Sequence, residues 1–105
     1  MLEIPVEKLA SWRKEGKDFL LLDVREHDEV QTAFIAGAHH IPMGEVPGRI
    51  NELPKEKEIV VMCHHGGRSE RVAAFLEAQG FPNAINLEGG INAWSLRVDS
   101  TVPRY

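Results

Sequence analysis

The chain has 105 residues, of which 43% are hydrophobic and 27% are charged, and its formal net charge is −4. This composition excludes a disordered chain, which would carry fewer apolar residues and a larger net charge. The acidic balance gives no electrostatic reason to expect a nucleic-acid partner. The apolar runs, such as residues 19–22, are too short to span a bilayer, so we expect no membrane partner either.

The length predicts one domain, residues 1–105, since independent cores usually take ~100–200 residues each. The single cysteine excludes an internal disulfide framework and any zinc or redox site built on a Cys-x-x-Cys spacing. Nothing in the first residues resembles a secretory signal. We therefore expect a cytoplasmic protein.

Short apolar runs alternate with segments of helical period in the first half of the chain. Apolar residues at helical spacing predict a helix over residues 6–12, which Gly16 ends. Residues 19–24 form a continuous apolar run, which is typical of a strand buried on both faces of a parallel sheet. The polar segment 26–32 has weak helical character, and residues 37–42 resemble a short strand that stops at a proline.

The second half repeats this alternation. The spacing predicts a short helix over 46–53, a buried strand over 58–62, a helix from Ser69 to Gly80, a strand over 84–87 and a helical turn that carries Ala93 and Trp94.

Strands that alternate with helices predict an α/β fold, with a doubly wound, mostly parallel sheet and helices on both faces. Ligands of such folds bind beyond the carboxyl ends of the strands. Three places meet this condition, namely Arg25, residues 63–68 and residues 88–90. The second of them contains the only thiol.

The segment 63–69 has the features of an activated cysteine. A buried strand delivers Cys63, a Gly-rich loop follows, and a helix is predicted to open at Ser69. The N–H groups of such a loop can converge on the sulfur as an anion-binding nest, and the two glycines, Gly66 and Gly67, permit the close approach. The helix N-terminus and the Arg68 guanidinium add positive charge. We therefore expect the pKa of Cys63 to lie below its free value of ~8.5.

The same residues have other interpretations. A lone cysteine in a small protein is often only a buried apolar side chain. The cysteine and the two His-His pairs include ligand types that bind metals, but adjacent histidines usually diverge and no ligand spacing supports a preformed site. We expect His64 and His65 instead to line the mouth of a pocket, where an imidazole could assist near neutral pH. The structural alternative for His39 and His40 is solvated side chains at a strand end.

Four segments in order make the chain similar to single-domain members of the rhodanese family. Residues 21–26 resemble the strand-end signature that this family carries in the first half of its sequence. Residues 37–42 resemble its Gly-Ala-x-x-Ile-Pro segment. Residues 63–68 resemble its active-site loop, and residues 86–94 its C-terminal signature.

The resemblance implies a thiosulfate sulfurtransferase in which Cys63 carries a persulfide. The donor would be a small anion such as thiosulfate, or a persulfide. The acceptor would be cyanide in an assay, and a small thiol or a sulfur-carrier protein in the cell. Arg68 would bind the oxyanion end of thiosulfate, Ser69 would cap the helix or donate a hydrogen bond, and no metal or organic cofactor is implied.

Two other functions compete with this hypothesis. Cysteine phosphatases and arsenate reductases also place a cysteine loop and an arginine before a helix, but with five residues between them, whereas four stand between Cys63 and Arg68. Rhodanese-like domains also occur as binding modules without activity, and those typically lack the cysteine.

Asp23 and Arg25 have two interpretations from sequence. Arg25 could attract anions at the edge of the sheet, or the two side chains could form a structural ion pair between loops, which we favour. Arg71 lies one turn into the helix, where it is a surface charge or a residue that shapes the pocket entrance.

Overall fold

The structure is a computed structural model that describes residues 2–105, so Met1 alone of the predicted domain lies outside it. The strands are β1 (Leu2–Ile4), β2 (Phe19–Asp23), β3 (His39–His40), β4 (Glu58–Met62) and β5 (Ala84–Leu87). The α-helices are α1 (Val6–Glu15), α2 (His27–Thr32), α3 (Gly67–Ala78) and α4 (Gly90–Arg97), and two 3₁₀ turns cover Met43–Glu45 and Pro47–Glu52.

All strand pairs of the five-stranded sheet are parallel, in the order β1-β5-β4-β2-β3. Because the strands are parallel, their carboxyl ends lie along one edge of the sheet. In the register, Asp23 stands beside Met62, and Ile4 beside Leu87. The residues that follow β2, β4 and β5 therefore meet at this edge.

The sheet separates two apolar cores, because successive side chains of a strand point to opposite faces. On one face Leu21, Val60 and Ile85 pack with residues of α1 and α4. On the other face the core combines the sheet with α3 and the 3₁₀ turns, and includes Leu22, Val61, Cys63, Leu76 and Val46. The predicted α/β fold with helices on both faces is confirmed.

Some boundaries differ from the sequence-based expectation. Strand β1 was not predicted, and helix α3 begins at Gly67, two residues before Ser69. The predicted helix over residues 46–53 is a 3₁₀ segment with a kink at Arg49. Among residues 2–105, no helix is both long and apolar enough to cross a membrane.

Candidate active site

Cys63 is the first residue after β4 and lies at the carboxyl edge of the sheet. The residue is only 1% exposed, because it packs in the core beneath α3. The chain then turns through His64 and His65 to Gly66, whose φ of +113° lies in a region that L side chains rarely adopt. Gly67 has no such conformation and opens α3, so the loop needs its left-handed glycine only at Gly66.

The loop directs several hydrogen-bond donors at the sulfur. The Gly66 N–H donates to Cys63 Sγ at 3.0 Å, and the Ser69 hydroxyl lies 3.4 Å from the same atom. Burial raises the pKa of the Cys63 thiol, but hydrogen bonds from the Ser69 hydroxyl and from the N–H groups of Ser69, Gly66 and Arg68 outweigh it. The net pKa is lowered, in the direction expected from the sequence. The arrangement favours the thiolate, which is the nucleophilic form of cysteine.

Backbone hydrogen bonds from the start of α4 hold the loop in position. The Ile91 N–H donates to the Cys63 carbonyl at 2.9 Å, and the Asn92 N–H donates to the His64 carbonyl at 3.1 Å. Gly90 makes this approach possible, because a Cβ there would lie 2.5 Å from each of those carbonyl oxygens. The glycine pair at residues 89–90 is therefore part of the support of the site.

Behind the sulfur, a polar network runs from α3 across the sheet. The buried Ser69 hydroxyl lies 2.5 Å from Asn86 Oδ1, and Asn86 Nδ2 donates to Glu3 Oε2 at 2.9 Å. Asn86 and Glu3 are register partners on β5 and β1. Sequence reasoning did not single out either residue, although Asn86 lies in the segment 86–94.

Arg68, predicted to bind an oxyanion, is paired within the protein. Its Nη1 and Nη2 donate to the two carboxylate oxygens of Glu29, on α2, at 2.7 and 2.8 Å. The bidentate pair lowers the pKa of Glu29 to about 2 and raises the pKa of Arg68. Both side chains are largely covered, with exposed fractions of 30% for Arg68 and 18% for Glu29. Two nitrogen atoms of the guanidinium, Nη1 and Nη2, are thus engaged by Glu29 in this structure.

Tyr105 packs against the loop that follows Cys63. Its ring stacks on His64 with a centroid distance of 3.9 Å and an interplanar angle of 6°, and His65 packs 3.9 Å from His64. The Tyr105 hydroxyl donates to Glu29 Oε2 at 2.9 Å. Burial, and to a smaller extent the neighbouring His65, lowers the pKa of His64. The lowered pKa favours the neutral imidazole near pH 7. Of the two histidines expected to line a pocket mouth, His65 lines a shallow pocket beside the loop, whereas His64 is covered by Tyr105. The contact with Tyr105 was not predicted from the sequence.

Asp23 and Arg25 form a buried ion pair. Arg25 Nε and Nη2 donate to Asp23 Oδ1 and Oδ2 at 2.9 and 2.7 Å, and the Arg25 and Asp23 side chains are 0% and 1% exposed. Further donors of Arg25 reach the Ala33 carbonyl at 2.7 Å and the Tyr105 hydroxyl at 2.8 Å. The structure shows the ion pair that the sequence favoured, although it lies at the end of β2 rather than between loops. Because Arg25 is fully buried, it offers no exposed face to an anion.

A family model described as a Rhodanese-like domain matches residues 6–97. The chain belongs to the rhodanese family. It is 38% identical over 93 residues to a sulfurtransferase of Allochromatium vinosum, an alignment that covers 89% of this chain and 87% of the relative. It is 34% identical over 95 residues to the thiosulfate sulfurtransferase GlpE of Coxiella burnetii, which covers 90% of this chain and 89% of that protein.

The rhodanese fold of this chain is also seen in solved structures. A rhodanese-like domain protein from Staphylococcus aureus superposes with a TM-score of 0.87 at 32% sequence identity. The alignment covers 100% of this chain and 99% of that one. The family and the fold are thus established together, and the sequence resemblance is confirmed.

Proposed function

We propose that this rhodanese transfers a sulfane sulfur from thiosulfate or a persulfide to a nucleophilic acceptor through a persulfide on Cys63. The observation that carries the proposal is the set of donors around Cys63 Sγ, above all the Gly66 N–H at 3.0 Å. Preorganised hydrogen-bond donors around a sulfur atom stabilise the thiolate. They also stabilise any other anion that forms at the same position. The name of the Coxiella relative, a thiosulfate sulfurtransferase, supports the same reaction class.

In the first step, the Cys63 thiolate attacks the outer sulfur of thiosulfate. A bond forms between Sγ and that sulfur while the sulfur–sulfur bond of thiosulfate breaks. The bonding electron pair leaves with sulfite, and the negative charge of the new persulfide lies on its outer sulfur. With a persulfide donor, the leaving group is the donor's thiolate.

In the second step, an acceptor nucleophile attacks the outer sulfur of the Cys63 persulfide. Cyanide forms thiocyanate, a thiolate forms a new persulfide, and Cys63 leaves as the thiolate it was before the reaction. The cycle balances without an added oxidant or reductant. One activated nucleophile and a cradle for anions suffice for this transfer, so we propose no metal or organic cofactor.

Intact-mass spectrometry after incubation with thiosulfate tests the proposal. We expect the native protein to gain the mass of one sulfur and to lose it to cyanide, with release of thiocyanate. A Cys63→Ser variant, which has no thiol, controls for non-specific adducts and should gain nothing. If neither thiosulfate nor a small persulfide adds sulfur to the native protein, the proposed function is wrong.

A sulfur-carrier protein is a second class of acceptor for the same persulfide. After excess thiosulfate is removed, the loaded protein can be divided between a small thiol and candidate carrier proteins. A mass gain of one sulfur on a protein acceptor supports transfer between proteins. Fast transfer to the small thiol with none to any protein supports the small thiol as acceptor.

In this proposal, the Glu29–Arg68 ion pair limits the rate of reaction with thiosulfate. Thiosulfate is a dianion, and Arg68 reaches its oxyanion end only after it releases Glu29. A persulfide donor carries less charge and depends less on that guanidinium. We therefore propose that Glu29 limits the reaction with thiosulfate more than the reaction with a persulfide.

Replacing Glu29 with glutamine should raise kcat/KM for thiosulfate about tenfold. The neutral amide accepts a weaker hydrogen bond than the carboxylate, and the freed charge-assisted donors of Arg68 become available to the substrate. Steady-state thiocyanate formation with thiosulfate, compared with a small persulfide donor, measures the change in selectivity.

Glu7→Gln is the matched control, because Glu7 forms a similar two-point pair with Arg97 and none with Arg68. Its selectivity should equal that of the native protein. If Glu29→Gln leaves the ratio of the two donors unchanged, Glu29 does not limit the use of thiosulfate.

A further inference from the structure

The Ser69 hydroxyl has more acceptors than protons. A serine hydroxyl donates one hydrogen bond, yet three acceptor atoms lie within reach of Ser69 Oγ. They are Asn86 Oδ1 at 2.5 Å, the Gly66 carbonyl at 3.1 Å and Cys63 Sγ at 3.4 Å. The Gly66 carbonyl already accepts the Glu70 N–H at 3.0 Å, which is part of the first turn of α3. Asn86 Oδ1 is the nearest of the three acceptors, and Cys63 Sγ is the one whose charge the hydroxyl can stabilise. The competition that bears on the thiolate is therefore between Asn86 and Cys63.

Glu3 decides which end of the Asn86 amide faces Ser69. An ionised carboxylate only accepts hydrogen bonds, so it selects the amide orientation in which Nδ2 points toward it. Asn86 Nδ2 indeed donates to Glu3 Oε2 at 2.9 Å, which leaves Oδ1, an acceptor, against Ser69. With the amide reversed, Nδ2 would donate to Ser69 Oγ, and the hydroxyl proton would be free for the sulfur.

We propose that Asn86 is a positioning residue that competes with Cys63 for the hydroxyl proton of Ser69, and that Glu3 fixes the amide orientation on which this competition depends. Asn86 acts through Ser69, since its side-chain hydrogen bonds go to Ser69 and Glu3 rather than to the sulfur. Its effect is to limit how strongly the hydroxyl stabilises the thiolate.

The inference rests on the proposed function in one respect, because it assigns the competition a use in the reaction cycle. In the free enzyme, the charged sulfur is Sγ, and the hydroxyl can donate to it. In the persulfide, the charge lies on the outer sulfur, and Asn86 then takes the proton that Sγ no longer needs. The hydroxyl thus has a partner in both states.

Asn86→Leu removes the competing acceptor while keeping a branched side chain of similar shape. We expect the pKa of Cys63 to fall by about one pH unit, because a hydrogen bond to a charged acceptor is then made by Ser69. Ultraviolet absorbance of the thiolate as a function of pH reports this directly, since the chain has one cysteine. Burial raises the pKa of Tyr105, the single tyrosine, so its ionisation falls at higher pH.

The same substitution in a Ser69→Ala background separates positioning from a merely structural role. Ser69→Ala alone should raise the pKa of Cys63, and adding Asn86→Leu should then change nothing. The charged and titratable groups around the loop are the same in both backgrounds, namely Glu3, Glu29, His64, His65, Arg68, Glu70, Glu88 and Tyr105. An unchanged or higher pKa in Asn86→Leu overturns the proposal, and so does an equal fall without the serine.

Glu3→Ala gives a second test if circular dichroism shows that Asn86→Leu does not fold. Glu3 lies on the exposed side of β1, and its removal lets the Asn86 amide reverse. Glu88→Ala is the control for loss of one negative charge beside the same loop. The pKa of Cys63 should fall more in Glu3→Ala than in Glu88→Ala, and equal values would refute the role of Glu3. Because absorbance needs no sulfur donor, a failure of sulfur uptake would count against the proposed function alone.

Discussion

Replacing Arg25 with methionine should lower the free energy of unfolding by about 3–5 kcal/mol, which is a large part of the stability of a small domain. The substitution leaves the Asp23 carboxylate, 1% exposed, without its ion-pair partner. It also leaves the Ala33 carbonyl and the Tyr105 hydroxyl without the donors that reach them at 2.7 and 2.8 Å. Urea unfolding followed by circular dichroism measures the loss.

Two further variants show that the buried charge causes this loss. In the double variant Asp23→Leu with Arg25→Met, no unpaired carboxylate remains, so the double variant should be more stable than Arg25→Met alone. Arg97→Met breaks a two-point pair with Glu7 that is exposed to solvent, and it should change stability little. If the double variant is as unstable as Arg25→Met, side-chain packing rather than charge explains the effect.

Replacing Gly90 with alanine should cost about 3 kcal/mol or more of stability and sharply reduce sulfur uptake. Part of the cost is conformational, because the φ of +59° is left-handed and unfavourable for alanine by roughly 1–2 kcal/mol. The rest is steric, because the new Cβ would lie 2.5 Å from the carbonyl oxygens of Cys63 and His64. Those carbonyls belong to the loop that carries Cys63, so relieving the overlap moves the donors around the sulfur.

Gly16→Ala separates the two contributions to the loss at Gly90. Gly16 has a similar φ of +72°, but a Cβ added there would meet no atom within 4 Å, so this variant should show the conformational cost alone. Thermal unfolding of the two variants, together with intact-mass measurement of sulfur uptake, tests the comparison. Equal destabilisation of the two variants would mean that the loop absorbs the overlap without strain.

The buried strands could be predicted from the sequence because their signal is local. The apolar runs within residues 19–24 and 58–62 can be recognised without knowledge of their neighbours, and both became inner strands of the sheet. Strand β1 could not be predicted in this way. Its three residues stop at Pro5, and they are a strand because β5 pairs with them.

The candidate site also has a part that could be predicted from the sequence and a part that could not. The loop over residues 63–69 was visible because the thiol, the glycines and the arginine are adjacent in sequence. The partner of Arg68 is 39 residues away on a weak helix, and Tyr105 is 76 residues from Glu29. Such contacts depend on how α2 and the last residues of the described chain pack against the loop. Sequence reasoning therefore found the candidate nucleophile but not the residues that pack around it.

The position of Tyr105 has a practical consequence for protein engineering. Its ring lies on His64, and its hydroxyl contacts Arg25 and Glu29, so an affinity tag or fusion partner joined after it would emerge beside the candidate active-site loop. Leu2 begins β1, and the amino ends of parallel strands lie at the opposite edge of the sheet. Tags, surface-immobilisation handles and fluorescent labels are therefore better placed at the amino side, away from the loop that follows Cys63.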